Sequence, residues 1–208
     1  MSHRNRTHTA HVSGSRHDPM TLPTDLPVPV DDGAADHLRG SRVPDIALPA
    51  TDGRQISLAA FGESRIVVYT YPRTGRPGEG PLVDGWDSIP GARGCTPETC
   101  GFRDHHAEVR AAGAEVFGLS TQETPYQQEL SARLLLPFAI LSDAGLKLTR
   151  EWRLPTFEVA AQILLKRLTL VVREGRVEHL WYPVFPPDRH AEEVLTWLRS
   201  NPARAQAG

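Results

Sequence analysis

Cysteine is scarce in this chain, with two residues among 208. A small secreted domain held together by disulfides normally has more cysteines, and its bridges close longer loops. Cys95 and Cys100 are separated by only four residues, so a bridge between them would constrain little of the unfolded chain. Structural stapling is therefore a poor explanation for the pair.

Long hydrophobic runs and an excess of one charge are also missing. The densest apolar runs, Ile66–Tyr71 and Leu168–Val172, are far shorter than the roughly 20 residues that cross a membrane as a helix. The formal net charge is −2, whereas a nucleic-acid-binding domain is normally basic. The polar N-terminal sequence has no apolar export segment. We therefore expect a cytoplasmic protein with neither a membrane nor a nucleic acid as partner.

Composition divides the chain into three parts. Residues 1–40, rich in His, Ser, Pro and Asp, predict a flexible N-terminal extension and linker. Residues 41–200 have the hydrophobic patterning of one domain, and residues 201–208 form a tail. About 160 packed residues can bury a stable core without a disulfide or a metal.

Strand and helix patterns alternate from Arg42 onward. The predicted order is β-hairpin, β, α, β, α, β, α, β-hairpin, α. Arg65–Tyr71 is rich in β-branched and aromatic residues and stops at Pro72, which is typical of a buried central strand. A long helix is expected over Cys95–Ala112. This order predicts an α/β fold with a central mixed sheet flanked by helices.

The position of Cys95 predicts reactivity. It follows a strand and a loop and begins a helix, and functional sites in open α/β sheets lie at the carboxyl ends of the strands. The first turn of a helix offers unpaired N–H groups and the positive end of the helix dipole, which favour ionisation of a thiol. Cys95 is therefore the candidate nucleophile.

Cys100 lies five residues later on the same predicted helix. Ideal helix geometry separates the two Cα atoms by roughly 8–9 Å, whereas a disulfide requires less than about 7 Å. A bridge would therefore form only after the first helical turn unwinds, which suits a redox cycle better than static support.

Three other uses of the cysteines remain open on the residues alone. They could be inert core residues, although the spacing places them on different helix faces. They could bind zinc with His105 and His106, although adjacent histidines on a helix point about 100° apart. They could form a thioredoxin-like redox pair, which normally has two intervening residues rather than four.

Five segments resemble the peroxiredoxin family of the bacterioferritin-comigratory, or peroxiredoxin Q, type. The similarity covers about residues 42–199 and is carried by these stretches: VPDIALPATDGRQISLAAF, GCTPETCGFRD, LLLPFAILSDAGLKLTREWRL, KRLTLVVREGRV and HAEEVLTWL.

The resemblance implies a thioredoxin-like fold and thiol-dependent reduction of hydrogen peroxide or organic hydroperoxides. It also implies that Cys95 is the peroxidatic cysteine, that Cys100 resolves it in an intramolecular disulfide, and that Arg167 stabilises the thiolate and the peroxide. A thioredoxin or similar dithiol protein would be the reductant, and no cofactor or metal would be needed. We expect a monomer or a homodimer. A disulfide oxidoreductase and a redox-sensing module with weak turnover are the alternatives.

Two departures from the family pattern stand out. The family has Pro-x-x-x-Thr-x-x-Cys, but here Pro72 lies 23 positions before Cys95, which makes the loop 16 residues longer. Three positions before Cys95, where the family has a threonine that contacts the peroxide, the residue is Ala92. Thr74, Ser88 or a water would have to replace that hydroxyl. The insertion, which includes Trp86, either covers the pocket or forms a surface loop.

Overall fold

The structure, a computed structural model, describes residues 18–202; positions 1–17 and 203–208 lie outside the described residues. The strands are β1 (Ala47–Pro49), β2 (Gln55–Ser57), β3 (Arg65–Thr70), β4 (Ala114–Ser120), β5 (Ile140–Ser142), β6 (Thr156–Val159), β7 (Gln162–Leu165), β8 (Leu168–Arg173) and β9 (Arg176–Trp181). The helices are α1 (Cys95–Asp104), α2 (His106–Ala111), α3 (Thr124–Leu134), α4 (Lys147–Trp152) and α5 (His190–Ser200).

A five-stranded sheet in the order β5-β4-β3-β8-β9 forms the centre of the domain. Strands β3, β4 and β5 run parallel, and β8 and β9 add antiparallel pairs on the other side of β3. Every residue of β3 is buried, as its β-branched and aromatic sequence predicts for a strand covered on both faces. The predicted mixed α/β sheet is confirmed.

Alternate residues of β3 belong to two different hydrophobic cores, because successive side chains of a strand point to opposite faces. Ile66 and Val68 pack with α4 and the β1–β2 hairpin. Val67 and Tyr69 pack with α1, α3 and α5, and both cysteines belong to this second core. The sheet thus has packed layers on each face, and helix α1, which begins at Cys95, lies in one of them.

The β6–β7 hairpin was not predicted. The two residues at its turn, Ala160 and Ala161, have φ values of +50° and +57°. Turns of this kind usually contain Asn-Gly or a similar pair, because residues other than Gly, Asn and Asp rarely adopt positive φ. A pair of alanines gives no such signal, so only long-range packing can impose the turn.

The long predicted helix is divided at His105. Helix α1 ends at Asp104, and α2 begins at His106 after a residue, His105, with φ −95° and ψ 6°. Gly113 follows with φ +84°, which ends the helical region where its sequence position predicts. The prediction of helix was right for this region, but that of one continuous helix was wrong.

Residues 18–40, the described part of the predicted extension, contact the domain. Leu38 and Ala35 are buried in the core beside β1 and α4, and the carboxylate of Asp32 accepts hydrogen bonds from Lys166 and Tyr182, each at 2.5 Å. The domain boundary at residue 40 stays a prediction. Within the described residues, no helix has both the length and the apolar character needed to span a bilayer.

Candidate active site

Cys95 is the first residue of α1, at the carboxyl end of the central strand β3. The preceding residue, Gly94, has φ +101°, and a Cβ there would lie 2.3 Å from Cγ of Pro187. Only glycine satisfies both the backbone angle and the close approach. Gly94 thus allows α1 to start at Cys95, at the end of the helix that has unpaired N–H groups, as the sequence predicts.

Arg167 reaches the Cys95 sulfur from a different part of the chain. It precedes β8, and the antiparallel pairing of β3 with β8 places Leu168 opposite Thr70, the last residue of β3. The start of β8 therefore lies at the same edge of the sheet as the start of α1. There Arg167 Nη2 donates to Cys95 Sγ at 3.1 Å.

The guanidinium of Arg167 is held by several buried acceptors. Its Nη2 also donates to the carbonyl oxygen of Arg93 at 3.1 Å and to that of Gly91 at 3.3 Å. Its Nη1 donates to the carboxylate of Glu98, and both side chains of this ion pair are buried. Burial opposes the positive charge, but the negative charges of Cys95 and Glu98 outweigh it and raise the pKa of Arg167.

Glu98 was not predicted as a site residue. It lies one helical turn after Cys95, so the two residues share a face of α1. Burial raises the pKa of Glu98, although the adjacent cation of Arg167 works in the opposite direction. Its Oε2 accepts from Arg167, whereas Oε1 has no hydrogen-bond partner among the described residues. The position of this acidic residue, three residues after Cys95, was the signal in the sequence that could have marked Glu98 as a site residue.

We expect Glu98→Gln to destabilise the reduced protein by about 3 kcal/mol, because it leaves the buried Arg167 cation without its carboxylate partner. The free energy of unfolding in urea measures this effect. The double variant Glu98→Gln/Arg167→Met should recover part of the loss, since no unpaired charge then remains buried. A double variant that is no more stable than Glu98→Gln would contradict this energetic coupling of the two charges.

Cys100 lies five residues further along α1 and has different surroundings. Both cysteines are free thiols, and Cys100 is 8% exposed. Burial raises the pKa of the Cys100 thiol, partly offset by the cation of Arg103. In the reduced state Cys100 therefore keeps its proton, while the sulfur of Cys95 contacts a guanidinium.

A cavity of about 30 Å³ opens at the Cys95 sulfur. A cavity needs roughly 10–15 Å³ to hold one water molecule, so this cavity has room for a group of two or three non-hydrogen atoms. Its polar lining includes Arg73, Thr74, Arg93, Thr96 and Tyr126. Cys95 is only 2% exposed and packs in the second core, but it also borders this cavity and a cation.

Part of the inserted loop covers the cavity. Pro81, Leu82 and Trp86 line the cavity, and Trp86 is only 5% exposed. Trp86 packs in a small core with Ala92 and Leu164, the latter in the unpredicted β6–β7 hairpin. Of the two interpretations that the sequence left open, the structure supports a cover over the pocket.

Of the two side-chain hydroxyls that the sequence offers in place of the one missing at Ala92, only that of Thr74 lines the cavity. Ala92 is fully buried, and its carbonyl oxygen accepts from the Cys95 thiol at 3.5 Å. Thr74 lines the same cavity and is 1% exposed, whereas Ser88 is exposed and does not line it.

The alternative of a zinc site with His105 and His106 finds no support among the described residues. His105 lies at the junction of α1 and α2, where its ring contacts Glu108 at 3.1 Å, and the ring of His106 packs near Phe138. In residues 18–202, no group of three His, Cys, Asp or Glu side chains is placed to hold a metal ion.

Comparison with known proteins shows the family of this chain. Residues 38–195, well over half of the chain, match the family described as Redoxin. Peroxiredoxin Q, chloroplastic, from Oryza sativa subsp. japonica is 32% identical over 162 residues, which cover 78% of this chain and 67% of the rice protein. The chain belongs to the peroxiredoxin family. It is of the peroxiredoxin Q type, and a second relative of that name, from Gentiana triflora, is 30% identical over 186 residues, covering 87% and 78% of the two chains.

Solved peroxiredoxins have the same fold. Peroxidoxin BcpB from Mycobacterium tuberculosis matches with a TM-score of 0.62 and 24% identity, covering 80% of this peroxiredoxin and 98% of that chain. Peroxiredoxin Q from Xanthomonas campestris matches with a TM-score of 0.60 and 23% identity, covering 86% and 99%. The thioredoxin-like fold is thereby confirmed, and the peroxiredoxin is a thiol-dependent peroxidase.

Proposed function

We propose that Cys95 is the peroxidatic cysteine of this peroxiredoxin, that Cys100 resolves it, and that Arg167 supports the reacting sulfur. The observation that carries the proposal is the 3.1 Å hydrogen bond from Arg167 Nη2 to the sulfur at the N-terminus of α1. A fixed guanidinium and the helix N-terminus both stabilise negative charge at that point. The thiolate, rather than the thiol, is the nucleophile.

In the first step, the Cys95 thiolate attacks the terminal oxygen of the hydroperoxide. The S–O bond forms and the O–O bond breaks, which leaves Cys95 as a sulfenic acid. The leaving hydroxide or alkoxide takes up the proton that the Cys95 thiol released on ionisation, and departs as water or an alcohol. Arg167, which donates to the sulfur, stabilises the negative charge from which the reaction starts.

In the second step, the Cys100 sulfur attacks the sulfenic sulfur. The S–S bond forms, the S–OH bond breaks, and the hydroxide leaves as water with the thiol proton of Cys100. Both residues belong to α1, so its first turn has to open before the sulfurs can meet. Opening breaks two local hydrogen bonds, Glu98 N–H to the Gly94 carbonyl at 3.0 Å and the Thr99 hydroxyl to the Cys95 carbonyl at 2.9 Å.

In the third step, a dithiol protein of thioredoxin type supplies two electrons. One of its thiolates attacks the Cys95–Cys100 disulfide, and its second thiol releases the mixed disulfide, so the peroxiredoxin regains both thiols. No bound cofactor enters this cycle.

Treating the reduced protein with one equivalent of hydrogen peroxide should remove two thiols per chain and form an intramolecular Cys95–Cys100 bridge. Thiol titration and mass spectrometry of the digested, non-reduced protein measure both changes. A product that keeps one free thiol, or a disulfide between two chains, would contradict the proposed resolving step.

The two alternative functions fit the site less well. A disulfide oxidoreductase has to bring its sulfur against a disulfide of another protein, but Cys95 borders a cavity of about 30 Å³ beneath the inserted loop. A redox sensor with weak turnover would oxidise once and then recycle poorly. Comparing one-shot oxidation with steady-state turnover in excess thioredoxin separates a sensor from a peroxidase.

We propose further that the protein is cytoplasmic and exists as a monomer or a homodimer. The rice and gentian relatives are described as chloroplastic, so cell fractionation is the direct test of location. Sedimentation of the reduced and oxidised protein tests the oligomeric state.

A further inference from the structure

The Cys95 cavity has a polar group that the proposed roles of Cys95, Cys100 and Arg167 do not use. Thr74 lies four residues after the end of β3 at Thr70, and its buried side chain lines the same cavity as Cys95. A buried hydroxyl normally has a hydrogen-bond partner.

The hydrogen-bond donors and acceptors of Thr74 are fixed by Gln122. The backbone N–H and the hydroxyl of Thr74 both donate to Oε1 of Gln122, at 2.9 and 3.0 Å. Nε2 of Gln122 donates back to the carbonyl of Thr74 at 3.2 Å. Because a backbone N–H can only donate and a carbonyl can only accept, this pairing leaves a single orientation for the Gln122 amide.

Two further contacts hold this arrangement in place. The hydroxyl of Tyr126 donates to the Thr74 carbonyl at 3.2 Å, and the backbone N–H of Gln122 donates to Ser120 Oγ at 3.1 Å. Thr74 is thus anchored to the end of β4 and to α3, and its position does not depend on the inserted loop alone.

The hydroxyl of Thr74 therefore offers acceptor capacity to the cavity. A threonine hydroxyl has one donor and two lone pairs, and its donor is committed to Gln122. The position where the family has a threonine is Ala92, which has no polar side chain. The chemical partner that fits is a small group that carries an O–H, in a space for two or three non-hydrogen atoms.

We propose that Thr74 Oγ1 accepts a hydrogen bond from the O–H of the bound hydroperoxide and positions its terminal oxygen for attack by Cys95. This inference rests on the proposed role of Cys95. The substrate class is a hydroperoxide with a free O–H, either hydrogen peroxide or an alkyl hydroperoxide whose organic group points out of the cavity mouth. A dialkyl peroxide, which has no O–H, gains nothing from Thr74.

The test compares Thr74→Val and Thr74→Ser in a Cys100→Ser background, in which Cys95 is the only thiol. Valine has the shape of threonine without the hydroxyl, and Gln122 Oε1 keeps its bond from the backbone N–H of residue 74. We expect Thr74→Val to slow the second-order oxidation of Cys95 by hydrogen peroxide about ten- to a hundred-fold. Thr74→Ser should stay within about threefold of the parent.

A second reaction separates positioning of the substrate from a structural effect. Alkylation of Cys95 by iodoacetamide reports the access and nucleophilicity of the thiolate, and this reagent has no peroxide O–H. Its rate should be the same in the parent, Thr74→Val and Thr74→Ser. Ser88→Ala, on the exposed part of the inserted loop, is the matched control and should change neither rate.

Two results would overturn the assignment of Thr74. One is oxidation of Thr74→Val by hydrogen peroxide at the parental rate. The other is an equal loss in the peroxide and iodoacetamide reactions, which would mean that Thr74 acts on the thiolate or on the fold. Failure of the proposed function is distinct, because the Cys100→Ser parent itself would then not react with peroxide.

Discussion

Replacing Cys95 with serine should reduce peroxide consumption to that of a protein-free control. A serine hydroxyl is not ionised near neutral pH and is a far weaker nucleophile than a thiolate, so the O–O bond is not attacked. The fold should be retained, because the serine oxygen can accept the hydrogen bond that Arg167 donates to the sulfur. Steady-state peroxide reduction with thioredoxin and its reductase measures the loss.

Cys100→Ser is the matched control for Cys95→Ser, because it removes the other thiol of the same helix. It should react with the first equivalent of peroxide at the normal rate and stop at the sulfenic acid. A dimedone adduct detected by mass spectrometry identifies that product. Turnover with thioredoxin should be lost, since no disulfide is available for exchange. Full activity in Cys95→Ser would refute the assignment of the nucleophile.

Arg167→Met should slow the reaction of Cys95 with hydrogen peroxide by about a hundred- to a thousand-fold. The substitution removes the only buried cation that donates to the Cys95 sulfur among the described contacts, so the thiolate loses its charged partner. Stopped-flow measurement under single-turnover conditions reports this rate directly.

Arg167→Lys tests the geometry rather than the charge. An ammonium keeps the positive charge but has no planar fork, so it cannot serve the Glu98 carboxylate, two carbonyl oxygens and the sulfur together. We expect a rate between those of Arg167→Met and the wild type.

The two arginine variants and Thr74→Val should differ in which reactions of Cys95 they slow. Loss of Arg167 should slow both the peroxide reaction and alkylation by iodoacetamide, because it acts on the sulfur itself. Loss of the Thr74 hydroxyl should affect the peroxide reaction alone. An Arg167→Met variant that reacts with peroxide at the wild-type rate would show that the guanidinium has a structural role only.

The effect of Arg167→Met includes a contribution from Glu98, which would be left buried without its partner. The double variant Arg167→Met/Glu98→Gln removes both charges and should fold more stably than Arg167→Met. Its peroxide reaction should remain slow, because Glu98 supports Arg167 rather than the substrate. Recovery of the rate in the double variant would mean that the unpaired carboxylate, and not the missing guanidinium, causes the defect.

Local patterns in the sequence were sufficient to place Cys95, the candidate nucleophile, at the start of a helix. A buried strand ending at Pro72, a loop, and a glycine before Cys95 predict a sulfur at a helix entrance, and Gly94 has the positive φ that this start requires. Each of these features depends on residues close together in the chain, where propensity and periodicity act.

The surroundings of that sulfur depend on tertiary structure. Arg167 lies 72 positions from Cys95 along the chain, and only the antiparallel register of β3 and β8 brings it to the same sheet edge. The inserted loop lies over the Cys95 cavity because its Trp86 packs with Leu164 of the β6–β7 hairpin. That hairpin has no turn signal in its sequence. The hydroxyl of Thr74 donates to Gln122, 48 positions away along the chain.

The reason for this division is physical. Local backbone preferences and the need to bury apolar side chains decide the hydrophobic period, the helix starts and the glycine turns. The sequence by itself therefore determined the fold class and the candidate nucleophile of this peroxiredoxin. Strand register, ion pairing and loop packing are decided by which distant groups satisfy one another in the folded chain. Only the tertiary structure therefore decided which cation, carboxylate and hydroxyl surround Cys95.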